Sequence, residues 1–258
     1  MLSKRSLFCF LGSVSVLSLA SSFAEDQVVK KEFQSELIHK VTADTGSGST
    51  EIKSHDLSKI IVSVVPFRND TKKHSLDHCD IKIEKDGTRI LAQVKSKKKK
   101  GFFSKESCSV EMTVWVPKKI DLEINNGSGD VRVDDVGGKL SLRSGSGNFN
   151  GRGEFSSVHV DVGSGDVVVQ GISGSGMINL GSGNGTFYFS KNTKPSSLAV
   201  NLGSGNLVAA FPNTLNVKTK LVIGSGTIKN TLPQSLSSSP VYWVEGTMGS
   251  GDLVLKSL

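Results

Sequence analysis

The amino-acid sequence predicts an all-β chain, a β-solenoid-like stack of short strands with Gly-Ser-Gly corners. Three observations carry that prediction. Gly-Ser-Gly occurs nine times, with first glycines at 46, 127, 145, 163, 174, 181, 203, 224 and 249. From 127 to 181 the main units recur every 18 residues, then at 203, 224 and 249, with Gly174 as an extra unit inside one step; periods near 20 residues mark stacked repeats. On both sides of the units apolar residues alternate with polar ones, the period of a strand.

The elements follow in order. Residues 1–24 carry Lys4 and Arg5, an apolar run from Leu7 to Leu19 and a small-residue exit at Ser22-Phe23-Ala24, which together read as a secretory signal peptide. The run is too short to span a bilayer, and no later segment supplies an apolar stretch of the roughly 18 residues that a membrane helix needs. The chain is therefore expected to be exported, to a periplasm or a cell surface, with residues 25–258 as a single domain. Loss of Lys4 and Arg5 lowers the formal charge from +7 to +5. That mild basicity suits an anionic envelope polymer, a lipid surface or another envelope protein, and gives no reason to expect specific nucleic-acid binding.

Residues 25–119 form an irregular first part. Gly46-Ser47-Gly48 is its corner, residues 60–65 are a strand, and residues 108–116 form a long alternating strand stopped by Pro117. Two polar stretches, 68–79 and 95–107, separate them. Cys79 and Cys108 are the cysteines that remain after signal cleavage. An even count in an oxidising compartment predicts a disulfide between them. A zinc site using His74, His78, Cys79 and Cys108 is the competing arrangement, but a second spaced pair of ligands is missing from the sequence.

Residues 120–258 are the regular part. Before the units stand Leu122 and Ile124, Leu140 and Leu142, Val158, Val160 and Val162, Ile178 and Leu180, Leu198, Val200 and Leu202, and Leu221 and Ile223. After them comes a short polar residue, Asp130, Asn148, Asp166, Asn184, Asn206, Thr227 or Asp252, and in most units a second alternating run. Val162 and Val167 are an odd number of positions apart, so an unbroken strand would send them to opposite faces. A bend at the unit returns both to one interior. Glycine accepts positive φ and close backbone approach, and Asp and Asn suit turns.

Val114-Trp115-Val116-Pro117, Ile120-Asp121-Leu122-Glu123-Ile124 and the serial GSGDVRV, GSGNFNG, GSGDVVV and GSGNGTF motifs resemble the Toastrack-type adhesin β-strand-repeat family of bacterial envelope proteins over roughly residues 40–258. The resemblance implies a solenoid-like fold and a binding or adhesive role at the envelope, and brings no catalytic motif with it.

Calcium-binding β-rolls use tandem nine-residue repeats with a regular aspartate, whereas these repeats are longer and most of their corner residues are uncharged; a calcium cage wants several carboxylates. Phosphate loops need a following helix, which is missing from the pattern. Hydrolase signatures are missing too, and His39, His55, His74, His78 and His159 are scattered, so the chain reads as a non-enzyme without cofactor. The segment Lys95, Lys97, Lys98, Lys99, Lys100, Phe102, Phe103 and Lys105 is the candidate contact with an anionic surface; its plainer reading is a solvated loop that discourages strand-edge pairing. Two other functions fit the pattern, an envelope component assembling through its terminal coils and a polysaccharide-acting enzyme on a solenoid scaffold.

Overall fold

The computed structural model describes residues 28–69, 72–73, 75–97, 108–233 and 241–258; the expected signal peptide lies outside them. The fold is all-β and solenoid-like. Its strands are β1 (Val29–Gln34), β2 (Lys40–Ser54), β3 (Lys59–Pro66), the short pair β4 (Arg68–Asn69) and β5 (Lys72–Lys73), β6 (Cys79–Asp86), β7 (Arg89–Ser96), β8 (Val110–Val116) and β9 (Asp121–Ser128). They continue as β10 (Val131–Ser146), β11 (Phe149–Ser164), β12 (Val167–Ser182), β13 (Gly185–Phe189), β14 (Ser197–Ser204), β15 (Leu207–Phe211), β16 (Asn216–Ser225), β17 (Ile228–Asn230), β18 (Val241–Ser250) and β19 (Leu253–Ser257).

Each regular coil is a run of strand, a Gly-Ser-Gly-Asx corner, a second run, and an opposite bend that leads into the next coil. Successive coils pair in parallel: Leu140 lies beside Leu122 and Val158, and Val131 beside Thr50 and Phe149. Val162 and Val167 are both buried, as a corner between them requires. Most polar residues of the strands point outward, including the half-buried His159, while Thr45, Thr50 and Asn126 are buried, with Thr45 Oγ1 bonded to both of the others. Every enclosed valine, leucine or isoleucine contributes about 1.5–3 kcal/mol, so a narrow interior is enough to hold the stack.

The corner explains the tripeptide. A Cβ on Gly163, the first glycine of its unit, would lie 2.5 Å from the Gly145 carbonyl oxygen. The second, Gly165, has φ of 126° and a Cβ there would lie 2.2 Å from the Gly147 oxygen. Only glycine satisfies both demands. Beyond it runs a ladder of side chains: Asp130 Oδ1 accepts from the Asn148 amide N–H (2.9 Å), Asn148 Oδ1 from Asp166 N–H (3.1 Å), and Asp166 Oδ1 from Asn184 N–H (2.9 Å). It continues through Asn184, Asn206 and Asp252 to Thr227. Asparagine separates Asp130 from Asp166, which keeps like charges from meeting in adjacent coils.

Where the repeat lengthens past Gly181, aromatic side chains fill the wider interior. Phe189 stacks on Phe211 at 4.2 Å between ring centroids, and Tyr242 packs edge-on to Phe189 at 5.2 Å. The Tyr242 hydroxyl donates to the Gly174 carbonyl at 2.8 Å, and burial pushes its ionisation well above the ordinary tyrosine range. Gly174-Ser175-Gly176 is thus not on the corner line. It lies in β12 just past the opposite bend, where Gly176 leaves room for Leu198.

Coil order departs from chain order at both ends. β2 lies between the coil of β7 and β8 and the coil of β9 and β10. The last segment, β18 and β19, is inserted between β14–β15 and β16–β17, so residues 216–230 form the outermost coil. The opposite end is finished by antiparallel strands, β3 on β8, β1 on β3 and β6 on β7.

Candidate functional site

Two surfaces arise from this architecture. The first is a groove along the corner line. Because the first glycine of each unit has no side chain, the stacked backbones of Gly127, Gly145, Gly163, Gly181 and Gly203 make a recessed floor. Two residues earlier in each coil the side chain points outward, and register sets these in a row: Asp44, Asn125, Arg143, Asp161, Asn179, Asn201 and Thr247. Shallow hollows of about 410 and 470 Å³ lie along it and meet at Asp161. With coils about 4.8 Å apart, the seven residues span roughly 30 Å.

The ends of the row are bonded to themselves. Gln93 Nε2 donates to Asp44 Oδ2 (2.6 Å), Asn201 Nδ2 to Asn179 Oδ1 (2.9 Å), and Thr247 Oγ1 to Asn201 Oδ1 (3.2 Å). In the middle, the side chains of Asn125, Arg143 and Asp161 make no hydrogen bond among the described residues. They offer an amide, a guanidinium and a carboxylate to a ligand laid in the groove. Sequence reasoning missed this row, although its signal is present: the second residue before the first glycine is polar in seven of the eight corner-line units.

The second surface lies at the antiparallel end. β7 and β8 take the two strand positions beside β2, with Thr45 opposite Val94 and Gly48 opposite Val110. In the chain, residues 97–109 link β7 to β8, whereas a Gly-Ser-Gly unit links the two halves of β2. Cys79 and Cys108 are joined as a disulfide with their Cα atoms 5.0 Å apart, so their sulfurs are not free to hold zinc as thiolates. The Ser96 hydroxyl accepts from the Cys108 N–H (3.2 Å), while Lys97 donates from its backbone to His78 O and from Nζ to Asp77 O, both 2.9 Å. These contacts bring Asp77 and His78 together with Lys97 and, through the disulfide, with Cys108. The sequence shows residues 68–79 and 95–107 as separate polar stretches; the fold sets Lys97 against Asp77 and His78. Lys98, Lys99, Lys100, Phe102, Phe103 and Lys105 lie outside the described residues, as does His74.

A third hollow, about 680 Å³, opens at the opposite bend between His39, Lys118, Asp121, Asp135 and Glu154. Its charges hold the bend together. Asp135, at φ 56°, accepts from Ser54 Oγ (3.1 Å) and lies 3.7 Å from Lys118 Nζ; Asp121 Oδ1 accepts from the Lys139 N–H (2.8 Å). Nearby Glu123 is bridged to Lys40, whose hydrogen bond holds its carboxyl below the usual range. The His55 ring is occupied by Lys59 O and the Leu57 N–H. Among the described residues no group of three or more His, Cys, Asp or Glu could hold a metal ion, and the corner aspartates accept hydrogen bonds from their neighbours.

The Toastrack DUF4097 family model matches residues 38–255. The chain belongs to this family. Among solved structures, this Toastrack chain is similar to a "putative adhesin" from Bacteroides fragilis, at 12% identity and a TM-score of 0.50, with 90% of this chain and 98% of that one covered. A "putative cell adhesion protein" from Clostridium sporogenes gives 14% identity and a TM-score of 0.41, with 91% and 100% covered. A "putative lipid binding protein" from Parabacteroides distasonis gives 12% and 0.37, with 90% and 96% covered. The first of these likenesses shows the shared fold. Among curated proteins none matches the chain. No helix among the described residues is long and apolar enough to cross a membrane.

Proposed function

We propose that this Toastrack chain is an exported, non-enzymatic, adhesin-like binding domain of the bacterial cell envelope, with residues 25–258 as one unit behind a cleavable signal at 1–24. It holds an extended, hydroxyl-rich polymer that bears anionic groups. The observation that carries this reading is the continuous polar row over a glycine floor, with the side chains of Asn125, Arg143 and Asp161 making no hydrogen bond among the described residues at its centre. Many shallow contacts repeated coil after coil suit a linear ligand. At the disulfide-bonded end, Lys95, Lys97, Lys98, Lys99, Lys100 and Lys105 meet the negative charges, and Phe102 and Phe103 add apolar contact. The name "putative adhesin" of the similar Bacteroides fragilis protein accords with a binding role.

Purified mature chain is mixed with peptidoglycan sacculi and, separately, with phosphatidylglycerol vesicles, and bound protein is measured against salt. Asn125→Ala/Arg143→Ala/Asp161→Ala lowers sacculus binding while folding is unchanged, and glutamine at Lys97–Lys100 lowers the salt-sensitive part. Binding unaffected by both sets of changes refutes the reading. Mass spectrometry of the exported chain checks the signal by an N-terminus at Glu25.

A further inference from the structure

We propose that the outermost coil, β16–β17, is an open sheet edge that takes up an extended strand of another protein in which acidic and apolar residues alternate. The proposal is independent of the groove. β16 pairs with β18 and β17 with β19, and among the described residues no strand pairs with their other side. The interior is correspondingly uncovered there. Ile228 is 42% exposed, whereas its partner Leu253 in the next coil is fully buried; Leu221 and Ile223 are only partly buried, whereas Ile178 and Leu180 are enclosed. Val222, 70% exposed, is the one apolar residue of the row that is polar in every other coil.

Charge selects the occupant. Lys218, Lys220 and Lys229 are the charged side chains of the two strands, and all are basic. Lys218 Nζ lies 5.9 Å from the ring centroid of the exposed Trp243 beside it. A second copy is disfavoured in either orientation. Edge to edge, two all-basic coils repel. Head to tail, the other end presents β1 and β6, where Lys31 on β1 donates from Nζ to the Ile83 carbonyl of β6 at 2.8 Å, and an edge lysine of this kind discourages pairing. A strand alternating acidic and apolar residues fits both requirements. Its backbone completes the ladder along β16, its apolar side chains cover Leu221 and Ile223, and its carboxylates face Lys218 and Lys220.

The test titrates three synthetic peptides into full mature chain by calorimetry: Ac-Glu-Val-Glu-Val-Glu-Val-Glu-Val-NH2, the same peptide N-methylated at each valine, and its lysine-for-glutamate counterpart. The first binds, the N-methylated form does not, and Lys218→Glu/Lys220→Glu weakens the first by about tenfold or more while gaining the lysine peptide. Failure of the first peptide, equal binding of its N-methylated form, or indifference to the charge reversal overturns the proposal. So does concentration-dependent self-association, by sedimentation, that the reversal abolishes, since the edge would then serve a second copy.

Discussion

The two ends of the stack bury the same kind of interior in opposite ways. At one end three antiparallel strands, a lysine reaching from β1 to the Ile83 carbonyl of β6 and the Cys79–Cys108 disulfide cover the last parallel coil. At the other, the coil of residues 216–230 has one neighbour, and its inward side chains remain partly in water. Glu32 at the closed end is held below the ordinary carboxylate range by Lys30 and Lys59; the open end carries lysines with no acid on the same strands. In a one-dimensional stack each coil is stable because of its neighbours, so the middle is most secure and the ends need separate treatment.

The sharpest way to break this picture is at the corners. Gly165→Ala places a Cβ 2.2 Å from a backbone oxygen at positive φ, and is expected to cost more than about 4 kcal/mol or prevent folding. Gly46→Ala, where the nearest atom lies 3.9 Å away, changes stability by less than about 1 kcal/mol. Urea denaturation compares them; equal losses mean that coil stacking does not dictate the tripeptide. Next in size, Cys79→Ser/Cys108→Ser costs about 2–4 kcal/mol. Hydrogen exchange then speeds up in β6–β8 but not in β16–β17.

Smaller effects test the ladder. Asn148→Asp sets three carboxylates in successive coils and costs about 1 kcal/mol near neutral pH, recovered on acidification, by denaturation at two pH values. Asp252 gives the smallest effect. The Thr227 hydroxyl and N–H hold its carboxyl below the usual value, so its contribution is present above the unfolded carboxyl pKa and is lost as pH falls through the lower, folded one. Asp252→Asn removes that part of the acid slope of thermal stability.

The strands and corners of residues 120–211 were legible because the parity of Val162 and Val167 about a Gly-Ser-Gly unit has one geometric solution. The order of coils was not. Every unit offers the same glycines and alternating apolar residues, so nothing local distinguishes Gly224 stacking on Gly249 from Gly224 stacking on Gly203. The same degeneracy hid the place of Gly174, which shares the tripeptide but serves the opposite bend. Of the candidate site, the basic segment was visible as a run of lysines. Its attachment beside the Cys79 end of β6 depends on contacts between residues far apart in sequence, Lys97 with Asp77 and His78. The groove combines an absent Cβ with a row assembled from seven coils, and neither is a motif in one stretch of chain.

Native-state hydrogen exchange of the mature chain, resolved residue by residue, tests the central claim most directly. If coils stack in register through their corners and the last one stands open, the amides of Asn148, Asp166 and Asn184 exchange only through global unfolding, while those of β16–β17 exchange far faster. Corner amides exchanging like exposed loops, or a terminal coil as protected as the middle, would contradict it.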